Sequence, residues 1–70
     1  MGMWFVYLVE CSDKTYYCGI TNNIEKRIAC HNSGKGAKYT RGRTPVELVC
    51  SIEVPTKSRA LQVEHAVKKQ

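Results

Sequence analysis

Five side chains of this sequence could together cut a phosphodiester: Tyr7, Tyr17, Arg27, His31 and Glu64. A phenol or an imidazole can take a proton from water. A guanidinium can neutralise the charge that builds on a transferring phosphate. A lone carboxylate suits a hard divalent cation such as Mg²⁺, which keeps several waters and takes further ligands from a phosphate. Such a cation would bind the scissile phosphate and stabilise the leaving 3′ oxygen. Phenol titrates at about 10, so a tyrosine base is expected to be acidified by nearby cations. Each group also has a structural reading. The tyrosines can be hairpin packing, Arg27 and His31 a snorkelling edge, and Glu64 the ion partner of Arg27.

The elements decide whether these groups meet. Residues 4–9 are continuously apolar, as a strand covered on both faces would be. CSDK at 11–14 supplies turn formers, and 15–20 reads as a second strand, giving a hairpin. Asn22 with Glu25 resembles a capping box and Gly34 a stop, so a helix is predicted over 23–32. At about 100° per residue, Arg27, Ile28 and His31 all fall within about 60° of Ile24, on the stripe that would face the sheet. Burying such groups without partners is costly. SGKGAKYTRGRTP at 33–45 reads as a loop. Val46, Leu48, Cys50, Ile52 and Val54 alternate with polar neighbours, which predicts a half-buried strand over 46–54. Pro55 ends it, Thr56 or Ser58 can cap, and a helix is predicted over 58–69. Ala60, Val63 and Val67 mark its core-facing stripe, and Glu64 lies inside that stripe. The order ββαβα predicts an α+β domain, a small, mostly antiparallel three-stranded sheet flanked by helices.

Seventy residues fit one domain, 1–70, with a thin core. The last helix reaches Gln70 without a stop signal, so the domain reads as short at its C-terminal end. Eleven cations against six acids give a net charge of +5. Lys26, Arg27, Lys35, Lys38, Arg41 and Arg43 crowd a stretch, 26–46, that holds no acid. That field favours polyanions and equally suits a plain solvated face. Cys11, Cys18, Cys30 and Cys50 lack a C-x2-C pair, so neither zinc nor a disulfide framework is supported, and they read as small apolar residues. SGKGAKYT does not fit the phosphate-binding P-loop pattern. No apolar run is long enough to span a bilayer, and the N-terminus lacks a basic leader and cleavage site. The expected setting is cytoplasmic, with no membrane partner.

With these residues in this order, the chain resembles the GIY-YIG nuclease superfamily, in particular its small single-domain bacterial members. FVY at 5–7 stands where that family has GIY, and YCG at 17–19 where it has YIG. G-x-T at 19–21, a helix cap, Arg27 and His31 follow in the family's order, and the run AKYTRGR at 37–43 is similar to that of the bacterial subgroup. Phe5 and Cys18 replace a glycine and an isoleucine of the two motifs, and no asparagine follows Glu64, where many nuclease members carry one. The resemblance implies a metal-dependent DNA endonuclease domain of repair or recombination type. In it Tyr7 and Tyr17 adjoin, Arg27 contacts phosphate, His31 assists proton transfer and Glu64 holds Mg²⁺ or Mn²⁺. Either phenol could be the general base. Gly19, Lys35, Lys38, Tyr39, Arg41 and Arg43 would line the DNA approach. Tyr39 would stack on a base or simply pin its loop, and a protein partner would supply specificity. The alternative is a nucleic-acid-binding module of the same fold with little or no cleavage.

Overall fold

The computed structural model describes residues 2–68. The elements run β1 (Trp4–Glu10), β2 (Tyr16–Thr21), α1 (Ile24–Asn32), a 3₁₀ turn (Lys38–Thr40), β3 (Glu47–Val54) and α2 (Lys57–Lys68). This is the ββαβα order and the α+β class that the sequence implies. The part of the last helix expected at residue 69 lies outside the described residues.

The sheet is antiparallel throughout, in the order β2-β1-β3. Its central strand is β1, which explains the unbroken apolar run: successive side chains point to opposite faces, and both faces are covered. Val6 packs with Cys18, Val54 and Ala60, flanked by Trp4, Leu8, Ile20 and Val63, which is the core under α2. Tyr7 and Val9 pack with Cys11 and Val46, flanked by Tyr17, Ile24 and Ile28, which is the core under α1. Each fully buried valine contributes roughly 1.5–3 kcal/mol.

Two local expectations shift. The α1 cap is Asn23, not Asn22. The Thr21 hydroxyl accepts from Asn23 N–H at 3.1 Å and so fixes Asn23 in extended backbone. From there the Asn23 carboxamide accepts from the Lys26 N–H at 3.1 Å. At the other end Gly34, with φ +84°, donates to His31 O, and Lys35 N–H donates to Cys30 O. That pair of bonds is a Schellman stop, as the glycine implied. On α2, Thr56 is the cap, accepting from Arg59 N–H at 3.1 Å.

The larger difference is β3. Leu48, Val49 and Ile52 are 44%, 52% and 51% exposed, so this strand is not half-buried. Cys50, expected to pack as a small apolar residue, is exposed as well. The cause is topological. β3 is an edge strand, its register with β1 slips between Leu8 and Val9, and α2 lies over β2 and β1 more than over β3. Alternation did not mark a single apolar side: Cys50, Ile52 and Val54 stand opposite Leu8, Val6 and Trp4 on the α2 face, whereas beyond the slip Leu48 stands opposite Val9, and Val46 packs with Val9 on the α1 face. A period of two carries no information on a bulge, nor on whether another element reaches either face.

Candidate active site

Tyr7 pairs across the sheet with Gly19. A Cβ at position 19 would lie 2.6 Å from Tyr7 Oη and 3.0 Å from Tyr17 Cε2. Glycine is therefore the residue that lets the two phenols sit together, their ring centroids 6.4 Å apart. Gly19 is buried beneath those rings, so it shapes the site from below instead of facing a nucleic acid.

The polar stripe of α1 docks on these phenols. His31 is 0% exposed and Tyr7 2%. Tyr7 Oη lies 2.8 Å from His31 Nε2, and Arg27 Nε donates to the same Oη at 3.3 Å. On the far side of the imidazole, Nδ1 lies 2.8 Å from Thr40 Oγ1, whose hydroxyl donates to Ala37 O at 2.9 Å. Thr40 has spent its proton on that carbonyl, so it accepts from His31 Nδ1–H. Nε2 then carries a lone pair, and the Tyr7 hydroxyl donates to it. The tautomer follows from this donor accounting. The chain of bonds aims the Tyr7 proton at a neutral imidazole.

The electrostatics correct one expectation. Burial pushes the Tyr7 phenol above its ordinary value, and the Arg27 hydrogen bond and charge offset this only in part. Arg27 pulls the phenol down but does not overcome its burial, so the resting Tyr7 is un-ionised. Burial, reinforced by the Arg27 charge, pulls His31 below its ordinary 6.5. Arg27 itself is pushed up, chiefly by its bond to Tyr7.

A pH dependence follows from His31. The unfolded imidazole titrates at about 6.5 and the folded one lower. Between those values the unfolded chain binds a proton that the native chain does not. Stability is thus fully present above about 6.5 and falls as pH drops toward the folded value. An NMR titration of the His31 ring is expected to place its midpoint below 6.5, with urea midpoints declining from pH 7 to 5. A midpoint at or above 6.5 would contradict the buried neutral ring.

Tyr17 joins the cluster through its ring, edge-on to His31 at 5.5 Å and stacked on Tyr39 at 5.8 Å. Glu64 enters differently. Helix α2 covers the opposite face of the sheet from α1, and the Glu64 carboxylate pairs with Lys68 at 3.4 Å. Among the described residues it makes no ion pair with Arg27. Lys68 Nζ stands 5.8 Å over the Tyr17 ring, so it is Lys68, the partner of Glu64, that reaches the phenol cluster around the β2 edge. The Glu64 side chain is 18% exposed, and an i,i+4 pair of this kind holds it by only about 0.3–0.5 kcal/mol. No group of three or more His, Cys, Asp or Glu that could hold a metal occurs among the described residues. One accessible hard oxygen donor, lightly held, fits Mg²⁺ or Mn²⁺ that takes its other ligands from water and phosphate.

The basic loop divides in two. Lys35, Lys38 and Arg41 are exposed and free to meet a polyanion. Arg43 is instead a pin: it bonds Asp13 at 3.0 Å and Tyr39 O at 3.0 Å, and lies 4.4 Å over the Tyr39 ring. Tyr39 is 40% exposed yet already stacked on Tyr17, so it anchors its loop while keeping part of its surface in solvent.

The sequence reading missed Thr40 and Gly36. Thr40 is 0% exposed and sets the imidazole tautomer. A Cβ at Gly36 would lie 2.8 Å from His31 Cα and overlap the ring. The spacing of Gly36 and Thr40 after His31 was a signal, but only the 3₁₀ turn shows that the loop folds back over the histidine.

Comparison with known proteins agrees with this arrangement. The family model described as the GIY-YIG catalytic domain matches residues 3–70. A UPF0213 protein of Nitratidesulfovibrio vulgaris is 50% identical over 68 residues, covering 97% of this chain and 62% of the relative. The UPF0213 protein NP_0776A of Natronomonas pharaonis is 55% identical over 64 residues, covering 91% of this chain and 75% of the relative. Among the curated relatives, the N. vulgaris protein and YsiG of Lactococcus lactis are each matched over 62% of their length. The solution structure of BH0048 from Bacillus halodurans superposes with a TM-score of 0.59 at 46% identity, covering all of this chain and 73% of that one. EF2693 of E. faecalis gives 0.64 at 37% identity, over all of this chain and 78% of its own. A tyrosine pair opened by a glycine, with arginine and histidine docked on it from the next helix, thus sits inside a match spanning nearly every residue, and the chain belongs to the GIY-YIG catalytic domain family.

Proposed function

We propose that this chain is a metal-dependent DNA endonuclease domain that hydrolyses phosphodiester bonds, and that Tyr7 is the proton-relaying phenol. The observation that carries this reading is the hydrogen-bonded line from Tyr7 through His31 to Thr40, with Arg27 on the phenol oxygen. A neutral His31 Nε2 is already the acceptor for the Tyr7 proton. As a water oxygen attacks phosphorus, the water proton passes to Tyr7 Oη and the phenol proton to His31 Nε2. The bond from phosphorus to the 3′ oxygen breaks, leaving a 5′ phosphate, and the departing oxygen takes its proton from solvent. Arg27 sits beside the phenol and supplies positive charge where the phosphate becomes more negative. Glu64 would hold Mg²⁺ or Mn²⁺, which supplies Lewis-acid charge stabilisation at the phosphate. Lys35, Lys38 and Arg41 give sequence-independent attraction to the backbone.

The test is cleavage of nicked, branched and supercoiled DNA with Mg²⁺ or Mn²⁺, beside Glu64→Ala. Glu64→Ala is expected to lower cleavage by about a hundredfold or more, because charge stabilisation by a bound cation is worth several kcal/mol. Salt-sensitive DNA binding should remain nearly intact. Equal loss of binding and cleavage would overturn this assignment of Glu64. Binding by the unaltered protein without any cutting would leave a nucleic-acid-binding module of the same fold.

A further inference from the structure

A cleft of about 600 Å³ wraps the free edge of β2 and is lined by Leu8, Tyr16, Tyr17, Cys18, Tyr39, Val67 and Lys68. Its volume lies within the ordinary range of ligand sites, about 300–1,000 Å³. Three of the chain's four tyrosines meet there, and the fourth, Tyr7, touches the cleft wall through its contact with the Tyr17 ring. Tyr17 and Tyr39 form a ready-made stack. Tyr16 stands apart, 55% exposed, and in none of the ring pairs that join Tyr7, Tyr17, Tyr39 and His31. Neighbouring residues of a strand point to opposite faces, so Tyr16 and Tyr17 flank the edge from its two sides. A single exposed aromatic needs no explanation, but three converging on one groove do.

The chemistry of this groove is selective. Its aromatic faces can stack on any base, and Lys68, at 53% side-chain exposure, can meet a phosphate. Leu8, Cys18 and Val67 offer no strong donors or acceptors with which to read base edges. Bases inside a continuous duplex are already stacked and cannot reach such faces without being extruded.

We propose that the β2-edge cleft binds an unpaired nucleotide of the DNA, stacked on Tyr16 beside the Tyr17–Tyr39 pair, so that the domain prefers a gap or flap to continuous duplex. The proposal rests on the DNA-cleaving reading above and names the substrate class of that site. The stack is insensitive to sequence, and it delivers the strand to the phenol cluster next door.

Fluorescence anisotropy in EDTA, where no cutting occurs, tests it with two labelled probes: a blunt duplex and the same duplex with a three-nucleotide gap. The unaltered protein is expected to bind the gapped probe more tightly. Tyr16→Ala should weaken binding of the gapped probe by about 5- to 150-fold, the worth of one base–aromatic stack, and leave duplex binding unchanged. Tyr16→Phe, which keeps the ring, should bind as the unaltered protein does. Tyr16 is exposed on an edge strand, so a melting temperature within about 4 °C of the unaltered chain is expected for both variants. Equal affinity of the unaltered protein for the two probes, equal loss on both with Tyr16→Ala, or loss with Tyr16→Phe would each overturn the proposal. If DNA is still cut in a Glu64-dependent way in any of those cases, the nuclease reading survives and only the cleft assignment fails. If neither probe binds, both fall.

Discussion

Tyr7→Phe is expected to reduce DNA cleavage by roughly 10²–10⁴-fold, the usual worth of a positioned proton-transfer group. The variant keeps the ring, its 2% exposure and its place over Gly19, and loses only the hydroxyl. That hydroxyl is the shared atom of the site: it bonds His31 Nε2 at 2.8 Å and accepts from Arg27 Nε at 3.3 Å. Without it, the buried imidazole nitrogen has no donor, which costs about 1–3 kcal/mol. At about 4–8 °C per kcal/mol for a domain of this size, the melting temperature should fall measurably. The guanidinium is only partly buried and can turn to solvent. Steady-state cleavage and thermal melts on the same preparation separate the two effects. Cleavage within about threefold of the unaltered protein, with a lowered melting temperature, would show that the phenol packs and does not relay protons. The Tyr17 hydroxyl would then become the candidate base.

Gly36→Ala should be among the most destabilising single-methyl additions in the chain. The added Cβ would lie 2.8 Å from His31 Cα and 2.9 Å from Cγ. The first of these is backbone of α1 and cannot swing away, and the ring is held from both ends by Tyr7 and Thr40. Overpacking of this kind costs about 1–3 kcal/mol, and at about 4–8 °C per kcal/mol the melting temperature should drop by several degrees or more. Relief would require the 3₁₀ turn to lift off the helix, breaking the Thr40 contact that fixes the imidazole tautomer. Cleavage should therefore fall even well below the new melting temperature, because a misplacement of about 1 Å can cost about 10²-fold. Gly34→Ala serves as the comparison: a Cβ there meets nothing within 4 Å, so its cost is only the strained φ of +84°. A Gly36→Ala melting temperature equal to that of the unaltered protein would show that the loop does not pack on His31.

Arg27 and His31 were legible because helical spacing puts them on the stripe of Ile24 and Ile28, which needs no knowledge of the distant chain. The nearness of Tyr7 and Tyr17 came from the family resemblance; alternation alone does not give it, because which faces coincide depends on the register, here Tyr7 opposite Gly19 and Val9 opposite Tyr17. Glu64 was read from helical periodicity, and its side chain is 18% exposed, as a place within the α2 stripe implies. Of its two readings, the ion pair with Arg27 does not occur among the described residues, because α1 and α2 pack on opposite faces of the sheet and the carboxylate turns to Lys68. Arg43 was grouped with the free cations by charge alone, whereas Asp13, thirty residues away in sequence, holds it.

The sequence by itself determined the class of fold, the order of elements, the helix stop at Gly34 and the identity of the polar groups that face the phenols, since each depends on contacts a few residues apart. Only the tertiary structure decided the rest. The sheet order leaves β3 uncovered, the 3₁₀ turn brings Thr40 and Gly36 onto His31, and burial outweighs Arg27 in setting the Tyr7 phenol. The physical reason is common to all three: burial and electrostatic environment are sums over atoms remote in sequence, and no local spacing encodes those sums.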